Sequence, residues 1–333
     1  MTGPDAPTLA PILVSRSDIA AARDVIHDRL HYTPVIRSTY LGERVGGRVH
    51  LKLELFQKTG SFKPRGVLNR LAHLSDAERQ RGLISLSAGN HAQAVAWAAR
   101  EYGVAATIVM PANASATKVE ATRGYGGNVV QTDGDLLATA LGLQREHALT
   151  LVHPFDDPHV IAGQGTVGLE IVEQVPDVEL VLVGVGGGGL ISGVAAAVKA
   201  LAPNARVVGV EPEGAPGMTE SLRRGEAVRL ERVDTIADGL AAPFAGRLNY
   251  AHVAALVDEM VLVSDAEIAA AIPVLMERCK ILPEPAAAAA TAALLSGKVV
   301  PPPDATTVVV VSGGNMDLGR LVEILSAQLR EDR

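Results

Sequence analysis

The chain of 333 residues contains a single cysteine, Cys279. One thiol cannot build an internal disulfide framework, so a reducing cytoplasm is the expected compartment. Cys279 follows Glu277 and Arg278 late in a helical pattern, with no histidine near it in sequence, and is read as structural. No apolar run approaches the about 20 residues needed to cross a bilayer. Met1–Pro11 lacks the charged-then-apolar order of a secretory leader. Net charge is −7 with no basic block, so neither nucleic acid nor a membrane is an expected partner. The histidines outside the motifs below show no metal-ligand spacing. What is present is apolar: 48% hydrophobic against 20% charged residues, enough for a large core and against disorder. The length allows two domains.

Along the chain, Ser17-Asp-Ile-Ala predicts a capped helix to about Leu30, broken at Thr33-Pro34. Arg48–Leu55 reads as a strand. Ser75-Asp-Ala-Glu78 is a capping box. Strands are predicted at Leu83–Ser87, Ala106–Met110 and Asn128–Gln131, alternating with helices at Asn90–Tyr102, Ser115–Tyr125 and Asp135–His147. A second block is expected to open with a strand at Thr150–Val152. Strands at Leu180–Val185, Val207–Glu211, Met260–Val263 and Thr307–Val311 follow, with helices between them and after the last. Such alternation implies βαβ units: an α/β chain with two open, mainly parallel sheets. Residues 226–258 carry no clear pattern.

Polar stretches lie where strands end, the place at which open parallel sheets bind ligands. Lys63 sits between Phe62 and Pro64 after the Arg48–Leu55 strand; a lysine in a partly apolar setting can lose its proton and attack a carbonyl. Taken alone it would be read as solvated surface. Ser87-Ala-Gly-Asn-His91 joins a strand to a helix, where free amides favour an anion, although an ordinary turn capped by Asn90 has the same pattern. Gly186, Gly187, Gly188 and Gly189 let backbone wrap an anion closely. The same loop, Gly184-Val-Gly-Gly-Gly-Gly189, matches G-x-G-x-x-G, and Glu211 ends the next strand, which imitates a dinucleotide site. Glu284 precedes a helix and could simply complement its dipole. Ser312-Gly-Gly-Asn315 follows the most apolar strand, Val308–Val311. Asp156 and Asp157 read as solvated or capping rather than as a metal pair.

Taken together these stretches resemble the fold type II pyridoxal-phosphate enzymes, the tryptophan synthase beta-like fold, and within them the serine/threonine dehydratase and serine racemase group. Six motifs stand in that family's order: Lys58-Thr-Gly-Ser-Phe-Lys63-Pro-Arg-Gly, Ser87-Ala-Gly-Asn-His-Ala-Gln93, Ile161-Ala-Gly-Gln-Gly-Thr166, the glycines 186–189, Ile236-Ala-Asp-Gly-Leu240 and Ser312-Gly-Gly-Asn315. The resemblance covers about residues 30–320. It implies pyridoxal 5′-phosphate as cofactor, with Lys63 its Schiff-base lysine and the catalytic residue. It further implies Phe62 against the cofactor ring, Asn90 on the ring oxygen, and Gly186–Gly189 around the phosphate. Ser312 would face the ring nitrogen, with Gly239 and Glu284 bordering the ring. Ser87, Ala88, Asn90 and His91 would receive the substrate carboxylate. The implied reaction is β-elimination from L-threonine or L-serine, giving 2-oxobutanoate or pyruvate and ammonia. Residues 1–72 with 151–333 would form the large cofactor-binding domain, 73–150 a small mobile one, and the chain would pair as a homodimer.

The sequence also departs from its relatives. Racemases of the group carry a second acid/base serine where Ala88 stands, so elimination is expected over racemisation. A cation site known in some relatives would use Glu211 and Ala215, but Gly217 replaces its last carboxylate, and no metal is expected. The short tail after Asn315 leaves no room for the regulatory domain of biosynthetic dehydratases. A hydroxyaspartate dehydratase, a β-replacement enzyme and a serine racemase stay open on the same fold. A nicotinamide oxidoreductase is the alternative from another chemistry, and it leaves Lys63, Asn90 and Ser312 without a use. A non-catalytic sensor would not need Lys63.

Overall fold

The computed structural model describes residues 12–331; the expectation for Met1–Pro11 lies outside them. Ten strands form in chain order: β1 (Val35–Ser38), β2 (Arg48–Leu53), β3 (Leu83–Leu86), β4 (Ala106–Pro111), β5 (Asn128–Thr132), β6 (Thr150–Leu151), β7 (Leu180–Gly184), β8 (Arg206–Pro212), β9 (Glu259–Val263) and β10 (Thr306–Val311). They build two sheets, one of order β1-β2-β10-β7-β8-β9 and one of order β5-β4-β3-β6. Every pairing is parallel except β1 against β2.

The larger sheet is covered on both faces, which is why β7 and the run Val308–Val311 of β10 are apolar at consecutive positions. In β10 the side chains of Val308 and Val310 pack with Val181, Val183 and Ile191 on one face. Val309 and Val311 pack with Leu182 and the alanines of the helix Pro285–Leu295 on the other. That helix is buried along almost its whole length. Alanine lets it lie close to the sheet: a Cβ on Gly184 would come 3.2 Å from the carbonyl oxygen of Ala286. In the smaller sheet Leu83, Ile108 and Met110 face the helix Asn90–Glu101, while Ile84 and Val109 face the helix Leu136–His147.

Four expectations are corrected. The first helix spans Arg16–Ile26 and is capped by Ser15, whose hydroxyl accepts from the Asp18 amide while the Asp18 carboxylate accepts from the Ser15 amide; this box outcompetes Ser17. The strand expected over Arg48–Leu55 ends at Leu53, because Glu54–Phe56 turns into a 3-10 helix. Thr150–Leu151 pairs with β3 and completes the smaller sheet, so it closes the first block rather than opening the second. The region 226–258 holds a helix, Arg247–Leu256. Its amides are capped at a distance by Asp156, whose oxygens accept from Arg247 N (3.0 Å) and Leu248 N (2.9 Å). No local capping residue announces it, since Gly246 stands at its N-cap without a side chain.

Candidate active site

β2, β10, β7 and β8 run in one direction, so the segments that follow them meet at one edge of the larger sheet. Lys63 opens the helix Lys63–Ala72, with Pro64 supplying a preset φ at its start. Its Nζ donates to the carbonyl oxygen of Pro154 at 3.1 Å and stands 5.1 Å from the Phe62 ring centroid. Burial pulls its pKa down to about 8, opposed by the charge of Glu284. The ring of Phe62 packs against the core cluster that includes Val308 and Val310, and the Phe62 amide donates to the carbonyl oxygen of Ser312 at 3.1 Å. Lys63, Phe62 and Ser312 are thus brought together by one backbone contact.

The glycine loop follows β7. Among the described residues, no acceptor is bonded to the amides of Gly186, Gly187, Gly188 or Gly189. A Cβ on Gly187 would lie 2.5 Å from the Phe155 ring, and one on Gly188, whose φ is +94°, 2.6 Å from Met218 Cε. The loop therefore tolerates only glycine at these two points, and it presents backbone N–H groups alone. Asn249, fully buried, holds the loop from below: its Nδ2 donates to the carbonyl oxygens of Gly187 (2.8 Å) and Phe155 (3.2 Å). Asn249 lies on the distally capped helix, and nothing in the sequence pattern marked it.

Asn90 and Glu284 meet across the two sheets, Asn90 Nδ2 donating to Glu284 Oε1 at 2.7 Å. Burial raises the Glu284 pKa to about 7, the Asn90 bond opposing. Glu284 stands at the N-cap of the helix Pro285–Leu295 but makes no cap bond with its side chain, so dipole complementation is not its whole role. Gly239 is alongside, a Cβ there falling 3.5 Å from Glu284 Oε1.

The helix beginning at Asn90 leaves the amides of Asn90, His91 and Ala92 without acceptors among the described residues. Ser87 Oγ accepts from the Gly89 amide at 3.1 Å, and Ala88 lies between them. The imidazole of His91 is a correction. It is 3% exposed, with Nε2 2.9 Å from Ser85 Oγ and 3.3 Å from the Val152 carbonyl oxygen. It braces the smaller sheet from inside, and burial holds its pKa well below the usual histidine value. Only the backbone of His91 remains at the anion nest.

Asp157 caps the helix Pro158–Gln174, accepting from His159 N (2.8 Å) and Val160 N (3.1 Å). Both aspartates of the pair are therefore helix caps. Glu211 does not point outward for a ribose. Its oxygens accept from Met218 N (2.7 Å), Thr219 N (2.8 Å) and Thr219 Oγ1 (2.6 Å) at the start of the helix Gly217–Arg224. The dinucleotide alternative loses its acidic partner.

A buried charge cluster behind Lys63 was not marked by the sequence. Arg65 bonds Glu54 through Nε (2.8 Å) and Nη2 (2.8 Å), and Glu170 through Nη1 (2.6 Å) and Nη2 (2.9 Å). Lys52 Nζ also donates to Glu170, and to the Thr33 carbonyl oxygen at 2.8 Å. Two cations and two carboxylates balance in a dry setting, which is the condition under which such burial is tolerated. The Lys63-Pro-Arg-Gly run displays Arg65, but only its tertiary partners reveal its use.

The family model described as pyridoxal-phosphate dependent enzyme matches residues 26–313. An L-threonine ammonia-lyase of Thermotoga maritima is 46% identical over 321 residues, covering 95% of this chain and 79% of that protein. A catabolic L-threonine dehydratase of Staphylococcus aureus is 44% identical over 319 residues, covering 94% of this chain and 92% of that protein. The solved structure of maize serine racemase superposes with a TM-score of 0.90 at 38% identity, covering 96% of this chain and 99% of that one.

Proposed function

The chain belongs to the pyridoxal-phosphate dependent enzymes, and from that premise we propose that it is an ammonia-lyase acting on L-threonine and L-serine. It dehydrates and deaminates them to 2-oxobutanoate or pyruvate and ammonia. The observation that carries this reading is the 44–46% identity, over nearly the whole of this chain, to threonine ammonia-lyases and dehydratases, joined to a desolvated Lys63 on the Pro154 carbonyl oxygen, next in the chain to the Phe155 ring that backs the free-amide glycine loop.

The residues fit the cofactor. The loop at 186–189 has unbonded amides and no room for a Cβ at Gly187 or Gly188, as a cradle for a phosphate dianion requires. Lys63 carries a reactive amine with a neutral carbonyl as its acceptor. Gly186–Gly189 would hold the phosphate, Phe62 and Gly239 would flank the ring, Asn90 would donate to the ring oxygen, Ser312 would face the ring nitrogen and Glu284 would border it. When bound, the cofactor supplies an electron sink that makes the substrate α-hydrogen acidic.

Lys63 takes that proton. A pKa of about 8 leaves part of its amine neutral near physiological pH, as a general base needs. The free amides at Asn90 and His91, with Ser87 and the backbone at Ala88, orient the substrate carboxylate at the positive end of the helix dipole. The β-hydroxyl would leave as water, its added proton balanced by the one that Lys63 removes from the α-carbon, and the released enamine would take up water to give the keto acid and ammonia. Ala88 offers no proton on the opposite face, which favours elimination over inversion of the α-carbon.

Residues 73–151, with the boundary moved past β6, act as the small mobile domain over the larger, cofactor-binding body. Two contacts from the helix Ala116–Gly124 reach the larger body: Lys118 Nζ to Asp238 Oδ2 at 2.7 Å and Thr117 Oγ1 to Asp317 Oδ2 at 2.9 Å. No helix among the described residues is long and apolar enough to cross a membrane. The chain works in the cytoplasm as a homodimer; Leu318 and Val322, exposed one turn apart, support pairing. Keto-acid release from L-threonine, L-serine and hydroxyaspartate tests the activity, and turnover of hydroxyaspartate alone would overturn it.

A further inference from the structure

Asn315 ends the loop after β10 and has no role in the reading above. Its Nδ2 lies 2.6 Å from the Thr59 carbonyl oxygen and 2.7 Å from Asn90 Oδ1. A backbone carbonyl only accepts, so the amide nitrogen of Asn315 must face Thr59. The same nitrogen then donates to Asn90, and only the oxygen of Asn90 can receive it. The Asn90 nitrogen is thereby turned the other way, where it meets the acceptor Glu284 Oε1 at 2.7 Å. One carbonyl orients two side-chain amides in sequence.

The backbone around this relay is shaped for it. Thr59 and Gly60 are both left-handed, at φ +59° and +73°, a conformation that a β-branched residue adopts only when its surroundings impose it. A Cβ on Gly60 would lie 2.5 Å from Asn315 Oδ1, and one on Gly313 would lie 2.5 Å from Glu284 Oε1 and 3.1 Å from Asn90 Nδ2. Glycines clear both ends of the relay. The Gly314 amide donates to the Gly60 carbonyl oxygen at 2.9 Å, which locks the two loops together.

We propose that Asn315 is a positioning residue: it fixes Asn90 as a hydrogen-bond donor toward the oxygen of the cofactor ring. In the opposite orientation Asn90 would present its carbonyl oxygen to an electron-rich oxygen and repel it. The inference rests on the pyridoxal-phosphate reading and deepens it.

Asn315→Asp tests it, because the carboxylate keeps the shape and removes the donor. Asn90 then turns its nitrogen to the introduced carboxylate and its oxygen to the site. Titration of the apoprotein with pyridoxal phosphate should show a dissociation constant raised about tenfold or more, with a displaced visible absorbance band in the loaded protein. In an Asn90→Ala background the same change should alter affinity by less than about twofold, because the two residues act as one unit. Asn315→Ala, which frees Asn90 without adding charge, gives the same comparison if Asn315→Asp does not fold. Wild-type affinity and an unmoved band in these variants, or effects that multiply with Asn90→Ala, overturn the inference. Absence of a visible band in the unsubstituted protein would overturn the cofactor reading instead.

Discussion

Lys63 Nζ lies 3.1 Å from the carbonyl oxygen of Pro154, an acceptor without charge. The ammonium is desolvated without being neutralised, so its pKa falls to about 8 although Glu284 pulls it upward. Capture of pyridoxal phosphate by the apoprotein requires the neutral amine. Its rate should therefore rise with pH through a midpoint near 8 and level above it. Stopped-flow absorbance across this range checks the value; a midpoint at the ordinary lysine pKa would contradict the assignment.

Lys63→Ala should abolish the borohydride-sensitive visible band and lower turnover by at least about 10²- to 10⁴-fold, the usual contribution of a positioned acid/base. Retained turnover with L-threonine, followed as 2-oxobutanoate, would remove Lys63 from the mechanism.

Gly187→Ala places a methyl group 2.5 Å from the Phe155 ring. Overpacking of this kind costs about 1–3 kcal/mol, and the loop relieves it by moving away from its own amide geometry. The expected outcome is weaker cofactor binding with a smaller change in apoprotein stability, read by parallel titration and thermal melting. Equal losses in both would make the loop structural only.

In the proposed site, Ala88→Ser would supply a hydroxyl on the face opposite Lys63. D-serine should form from L-serine in the variant at a rate measurable against pyruvate, and at a far lower rate in the unsubstituted enzyme. Chiral chromatography of the products decides. Comparable racemisation by the unsubstituted enzyme would show that another donor serves that face.

Arg65→Met removes one cation from the buried cluster. Lys52 still pairs with Glu170, but Glu54 keeps only the Thr33 hydroxyl as a partner there. Breaking a buried pair from one side costs about 3–5 kcal/mol. Urea unfolding of the apoprotein should show that loss, with Arg65→Lys intermediate because lysine restores charge without the fork. An effect below about 1 kcal/mol would mean the cluster behaves like a surface pair.

Much of this was legible because it is written in contiguous runs. Strands such as Thr306–Val311 and helices such as Asn90–Glu101 follow from local period and propensity. The tetraglycine announces an anion loop because a run without side chains offers bare backbone amides. Lys63, Asn90 and Ser312 were visible as candidates because each follows or opens a strand-to-helix turn.

The sequence by itself determined the α/β class, the family and the order of the motifs, since these depend on residues that are neighbours along the chain. Tertiary structure decided what those residues face. It turned the His91 imidazole into the core, spent Glu211 on a helix start and used Asp156 to cap a helix far along the chain. It also joined Thr59, Asn315, Asn90 and Glu284 into one relay. A hydrogen bond acts over about 3 Å whatever the separation in sequence, and side-chain direction is set by packing. Chemistry-bearing residue types can therefore be listed from the chain, but their partners come only from the fold.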